Sequence, residues 1–149
     1  MANELFQTGE EFHIRRTYRN DTVNLNQGVL FTLYNQSTDN LGDASLIADL
    51  TSEPTGSAFS RQSLDLDTSS ITVSLSSGNF QAQFDDVVFD TTDSSASVDA
   101  YMTIVQFESS VAGDSSISEN LFFAGNLDQT YDLSQIDEFT LQETGIALD

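Results

Sequence analysis

The chain has 149 residues, of which 24 are acidic and only four basic, all of them arginine, for a formal net charge of -20. The absence of cysteine excludes disulfides, thiolate metal sites and a cysteine nucleophile, and so few cations make a poor match for nucleic-acid phosphates. Hydrophobic residues at 38% and aromatics at 10% exclude an acidic disordered chain, and the length suits one domain that buries ~70% of its unfolded surface.

In chain order, residues 1–11 carry no clear period and form a candidate N-terminal arm. They have no basic n-region and no apolar h-region, so no signal peptide is expected. From Phe12 to Tyr18 the alternation of Phe12 and Ile14 with His13 predicts a strand that carries Arg15 and Arg16, with Arg19 just beyond. Gly28 to Tyr34 is an apolar stretch expected to be covered on both faces. Asn40 to Leu50 is the one segment that suggests a short helical turn. Ser52-Glu53-Pro54-Thr55-Gly56, with the single proline of the chain, reads as a loop.

Leu64 and Leu66 alternate with Asp65 and Asp67, and Ile71, Val73 and Leu75 with Thr72, Ser74 and Ser76. After the turn Ser76-Ser77-Gly78-Asn79, Phe80, Ala82 and Phe84 alternate with Gln81 and Gln83, which predicts a β-hairpin. Val98 to Phe107 is apolar on both faces and predicts a central strand. Leu121 to Phe123, Phe139 to Leu141 and Ile146 to Leu148 are further short strands, and the serine-rich stretches Ser94–Ser97 and Ser109–Ser118 are loops. About eight to ten short strands at this spacing predict an all-β fold. The expected form is a single antiparallel β-sandwich or jelly-roll-like domain over residues 1–149. No change of composition marks a boundary, and no internal repeat is present.

The chemistry-bearing residues are few. His13 is the only histidine and reads as a solvent-facing or interface residue. No Gly-x-Ser-x-Gly elbow supports a serine nucleophile. Carboxylate pairs such as Asp65/Asp67, Asp85/Asp86 and Asp90/Asp93 are too common here to mark an acid/base couple. Asp65-Leu66-Asp67-Thr68-Ser69 matches the start of a calcium loop, but Ser70 stands where the turn needs glycine and Ser76 where a bidentate glutamate belongs. Asn20-Asp21-Thr22 and Asn35-Gln36-Ser37 fit the N-glycosylation pattern, which chance supplies readily in a Ser/Thr-rich chain. No cofactor, no metal and no enzymatic activity are expected.

The charge bears on setting and partners. Uncompensated carboxylates repel one another, and molar salt shortens the Debye length from ~10 Å to ~3 Å. A protein of concentrated salt is therefore expected, and the lack of lysine fits, since its alkyl stem would add apolar surface. No apolar run approaches the ~20 residues of a membrane span. Arg15, Arg16 and Arg19 lie among Glu10, Glu11 and Asp21. They are expected to pair with carboxylates of this chain or of a neighbouring subunit.

One pattern is more specific. Leu33-Tyr34-Asn35 at a strand end is followed by Thr55-Gly56-Ser57-Ala58-Phe59-Ser60-Arg61-Gln62. Phe122-Phe123-Ala124-Gly125-Asn126-Leu127 and Ile136-Asp137-Glu138-Phe139-Thr140-Leu141 follow later. From residue 29 to the end this resembles a family of small phage structural proteins with a Leu-Tyr strand, a Thr-Gly-x-x-Tyr-Ala-Arg-Gln-like segment, a Gly-x-Leu step and a closing strand. Phe59 stands where that family has tyrosine, and Ile136 where it has glycine. The resemblance implies a virion component of a tailed virus; with the charge, the expected host is a halophilic archaeon in whose cytoplasm the particle assembles. It implies a homo-oligomer in contact with other virion proteins, either major capsid or tail proteins. The expected role is a capsid-surface decoration or turret component. A tail or fibre component, or an adhesin that contacts the host cell surface, is the alternative. Arg15, Arg16, Arg19, Phe59 and Arg61 are the structural and interface candidates, and Arg61 is expected to anchor its loop on a carboxylate.

Overall fold

The computed structural model describes residues 4–19, 29–64, 70–76, 79–106, 119–142 and 145–148. Its strands are β1 (Glu4–Leu5), β2 (Val29–Tyr34), β3 (Gln62–Leu64), β4 (Ile71–Ser76), β5 (Asn79–Phe84), β6 (Val87–Asp90), β7 (Ser97–Val105), β8 (Asn120–Asp132), β9 (Glu138–Leu141) and β10 (Gly145–Leu148). Helical pieces are short: α1 (Gln7–Ile14) running into a π-helical turn at Arg15–Arg19, α2 (Gln36–Asp39), and 3-10 turns at Ile47–Asp49 and Leu133–Gln135. Among the described residues every strand pairing is antiparallel. The strands make three sheets, ordered β1-β8-β7-β2-β3, β10-β5-β4 and β6-β9. The all-β class read from the period of two is therefore the observed one.

The five-stranded sheet is the centre, and its two faces carry two separate cores. Val29, Phe31 and Leu33 of β2, Tyr101 and Val105 of β7 and Phe123 of β8 line one face. Val87 and Phe89 of β6, Phe139 and Leu141 of β9, and Phe84 at the end of β5 pack on it. Two aromatic pairs there meet edge to face, Phe31 with Phe84 at 5.3 Å and Tyr131 with Phe139 at 5.0 Å, an arrangement that ring quadrupoles favour. Tyr34, Ala100, Met102, Ile104, Leu121 and Ala124 line the other face, covered by Phe6, Leu41 and Leu50. This two-sided burial is why β7 reads apolar at nearly every position.

Two irregularities in the β7–β8 pairing keep those faces clean. The register slips between Val98 and Ala100 and again between Thr103 and Ile104. The first slip puts Val98 on the same side as Tyr101; the second lets Leu121 and Ala124, three apart, share a face. At the second slip the buried Thr103 hydroxyl donates to the Phe123 carbonyl at 2.9 Å and accepts from the Phe123 amide at 3.0 Å. Backbone groups that the bulge would leave unpaired in the core are thereby satisfied.

The N-terminal reading is corrected in two ways. The candidate arm over residues 1–11 is docked from Glu4 onward: Glu4 and Leu5 pair with Ala124 and Phe123, and Phe6 is fully buried. Burying a phenylalanine is worth ~1.5–3 kcal/mol, enough to hold so short a segment on the sheet. The strand expected from Phe12 to Tyr18, His13 included, is helical instead. A short alternation fits either period, and tertiary contact decides. Gly9 lets the helix come against the Phe122 carbonyl with no room for a Cβ. The Thr8 hydroxyl donates to the Leu121 carbonyl, and Glu11 pairs with Arg15 one turn on, at 3.5 Å.

Elsewhere the differences are smaller. The turn expected within Asn40–Leu50 is the 3-10 turn at Ile47–Asp49, and α2 precedes it. β6 was not anticipated, because Asp85, Asp86 and Asp90 mask the short alternation of buried Val87 and Phe89 with exposed Val88 and Asp90. The expected pairing of β4 with β5 is present, with Ile71 opposite Phe84 through Ser76 opposite Asn79; residues 77 and 78 of the expected turn lie outside the described residues. Only Leu64 of the Leu64/Leu66 alternation lies among the described residues, at the end of β3. The serine-rich stretch Ser109–Ser118, the pattern Asn20-Asp21-Thr22 and the start of the calcium-like pattern at residues 65–69 lie outside them.

Candidate functional site

The segment from Thr51 to Gln62, which carries the Thr-Gly-x-x-Phe-Ser-Arg-Gln pattern, runs from the 3-10 turn at Ile47–Asp49 to β3 as a strap fixed at successive points. At its start the Asp39 carboxylate accepts from the Thr51 hydroxyl at 2.7 Å and the Ser52 hydroxyl at 2.8 Å, and from both their amides at 3.2 Å. Glu53 turns inward, where its Oε1 accepts from the buried Thr32 hydroxyl of β2 at 2.6 Å.

The next fixed point is Asp93. Its carboxylate accepts from the Ser57 amide and hydroxyl, both at 2.6 Å, and from the Ala58 amide at 3.1 Å. Gly56 makes the approach possible: its φ is +149°, and a Cβ there would stand 2.5 Å from Asp93 Oδ1. Phe59 then stacks on Phe89 of β6, nearly parallel with centroids 5.6 Å apart. Phe59 thus serves as an apolar plate on the core.

Arg61 closes the strap. Its Nε and Nη2 donate to the two oxygens of Glu53, each at 2.8 Å, and its Nη1 donates to Glu119, just before β8, at 2.7 Å. The side chains of Arg61, Glu53 and Glu119 are 27%, 23% and 35% exposed, so the cluster is half-sheltered. The fork geometry is the one guanidinium and carboxylate share. The Glu53 bonds, then that to Glu119, hold the guanidinium pKa above its ordinary value, with burial opposing them. Through Glu53 and Thr32 the clasp reaches β2, and through Glu119 it reaches β8, so one side chain ties the strap to two strands of the central sheet.

The other sequence candidates occupy a different element. Arg15, Arg16 and Arg19 sit on the π-helical turn after α1, Arg15 buried and the other two exposed. Ile14 and Tyr18, four apart, are 56% and 84% exposed beside them. Asn35, of the Asn35-Gln36-Ser37 pattern, caps α2 by accepting from the Thr38 amide and donates to the Ser97 carbonyl. Sequence reading missed Asp39, Asp93 and Glu119 as partners of the strap, and Glu53 as the partner of Arg61 within it. Only the scarcity of cations marked Arg61 as in need of an acid, and nothing local distinguishes these four from the other carboxylates. Among the described residues, no group of three His, Cys, Asp or Glu side chains could hold a metal ion, and no helix is long and apolar enough to cross a membrane.

The chemistry of the strap is that of a fastening. The Ser57 hydroxyl and the Ala58 and Ser57 amides hold the Asp93 carboxyl below the usual carboxylate range. Asp90 and Asp132 are lowered in the same way, by Thr92 and by Ser134. For a folded-state pKa below the unfolded value, the stabilisation is present above the unfolded value and is lost as pH falls through the folded one. In an NMR titration the Ser57 and Ala58 amides should therefore shift with a midpoint below ~3.9, the ordinary aspartate value, and Asp93→Asn should abolish that shift. A midpoint at or above that value would mean that Asp93 does not hold the strap.

No protein-family model, curated protein or solved structure matches the chain.

Proposed function

We propose that the chain is a virion structural protein of a tailed virus of a halophilic archaeon, built into the particle surface as a capsid decoration or turret component. The observation that carries this reading is the strap. The segment on which the resemblance to phage structural proteins rests is fastened to α2 by Asp39, to the loop after β6 by Asp93, to β6 by Phe59 and to the central sheet by the Arg61 clasp. Its distinctive residues thus have a mechanical role, the kind a scaffold needs. The five-stranded sheet with the β6–β9 ribbon on one face acts as a β-sandwich-like scaffold in this reading.

The net charge of -20 supports exposure to brine, where hydrated carboxylates keep a particle surface soluble. The arginine-bearing turn with exposed Ile14 and Tyr18 suits contact with acidic neighbours in an assembly of like-charged subunits, since tyrosine and arginine are favoured at interface cores.

Particles of the virus that encodes this chain, purified in ~3 M NaCl, should contain it in a fixed ratio to a major capsid or tail protein by quantitative mass spectrometry. Particles produced without its coding segment should rebind the purified chain at the same salt. A chain abundant in infected cells but absent from particles, with no rebinding, would overturn the proposal.

A further inference from the structure

The hairpin of β4 and β5 has the makings of a contact surface that neither the strap nor the arginine turn supplies. Its base is anchored: Phe84 is buried and Ile71 packs against the core. Beyond that base β4 stands clear, and Thr72, Val73, Ser74 and Leu75 are all exposed. Val73 and Leu75 are 68% and 63% exposed and share one face with Ile71, since alternate residues of a strand point the same way. Val73 is registered with Ala82, and Ala82 in turn with Ile146 of β10. Strand propensity alone favours valine here, but it does not call for two exposed apolar side chains in a row on one face.

Two further features say what covers that face. From Thr68 to Phe84, between Asp67 and Asp85, no residue is charged, in a chain of net charge -20. A basic partner would find no carboxylate here to recognise. A second copy carries the same net charge of -20 and is repelled wherever acids meet acids, but at this hairpin both surfaces are neutral. The outer strand of the sheet, β4, also has no charge or proline to discourage association. We infer that the apolar face of the β4–β5 hairpin is a self-association surface, on which Val73 and Leu75 of one copy pack against the same face of a second copy about a two-fold axis.

Six residues at ~3.3 Å rise on the two strands of the hairpin, ~4.8 Å apart, give a footprint of roughly 20 Å by 10 Å. That is well below the ~800 Å² per partner of a standard interface. The pair is therefore weak and concentration-dependent in solution, and grows in an array where neighbours are already held close. It strengthens with salt, because screening removes the repulsion of the surrounding acids. The contact follows from the sheet and does not require the virion reading: a chain absent from particles would still pair this way.

Sedimentation in ~3 M KCl tests it. The mass of the wild-type chain should rise with concentration toward a dimer, and Val73→Asp should weaken association at least about tenfold, since it sets like charges face to face. At concentrations where the wild type is monomeric the variant's melting midpoint should fall by only a few °C, the cost of strand propensity at an exposed position, because Val73 makes no core contact in the single copy. The absence of native cysteine allows a second arm. With a bis-maleimide that spans ~10 Å, the spacing of sheets packed face to face, V73C should cross-link into dimers and S74C, on the opposite face, should not. A monomer at every concentration, association that persists in Val73→Asp, equal cross-linking from both positions, or a V73C thiol closed to a small maleimide in the monomer would each overturn the inference.

Discussion

Arg61→Ala should lower the melting midpoint by roughly 4–8 °C in salt-matched buffer, and Arg19→Ala by less than about 2 °C. The guanidinium makes two parallel bonds to Glu53 and a third to Glu119, and the three side chains are between 23% and 35% exposed. Exposed ion pairs contribute ~0–1 kcal/mol, whereas removing one partner from a buried pair costs ~3–5 kcal/mol. A half-sheltered clasp falls between, at ~2 kcal/mol, and in a chain of this size each kcal/mol moves the midpoint by ~2–4 °C. Truncation also leaves two carboxylates facing the same vacated space, with Glu53 still held inward by Thr32. Arg61→Lys should recover only part of the loss, because a point charge cannot make the parallel pair. Combining Arg61→Ala with Glu53→Gln should cost less than the sum of the two changes, the mark of a direct interaction. Equal and small losses for Arg61→Ala and Arg19→Ala would reduce Arg61 to one more surface cation.

How much of this was legible in the sequence depended on the range of the contacts involved. The β4–β5 hairpin and the doubly covered β7 could be read directly, because a period of two and an unbroken apolar run are local signals that packing here reinforces. The α1 segment could not, since Phe12, His13 and Ile14 alternate over too short a span to separate one period from the other. Contacts distant in the chain, Gly9 against Phe122 and Thr8 against Leu121, settle it. β6 was hidden for a related reason: its four residues carry one buried pair, and flanking aspartates dominate the local composition. In the strap, Arg61 could be marked because cations are so scarce that each must find an acid. Its partners could not be, because Glu53, Asp93 and Glu119 are three among 24 acids, and only the folded chain brings them to Arg61 and to Ser57. Phe59 could be singled out from the resemblance, but its stacking on Phe89 depends on a strand that the sequence did not disclose.

The larger effect should come from salt, and it concerns the surface as a whole. Two unit charges ~15 Å apart in water repel by ~0.3 kcal/mol, and a surplus of twenty makes many such pairs. The folded chain, with an expected radius of gyration of ~15 Å against ~40 Å unfolded, brings them closer, so the repulsion weighs on the native state. At ~0.1 M salt the Debye length of ~10 Å screens only the more distant pairs; in molar salt, at ~3 Å, it screens nearly all exposed ones. Bonds that hold the fold are less affected, because Arg61 and Glu53 are half-sheltered and the two cores are apolar. Salt should therefore remove a penalty without removing much of what opposes it. The early gain is electrostatic, and salt exclusion from the apolar surface adds to it at higher concentration. The measurement that tests this most directly is the melting midpoint of the wild-type chain between 0.1 M and 3 M KCl. It should rise by roughly 10 °C or more, equivalent to ~3–4 kcal/mol, with most of the rise complete by ~1 M. A midpoint constant to within about 2 °C over that range would contradict the view that this fold is made for concentrated salt.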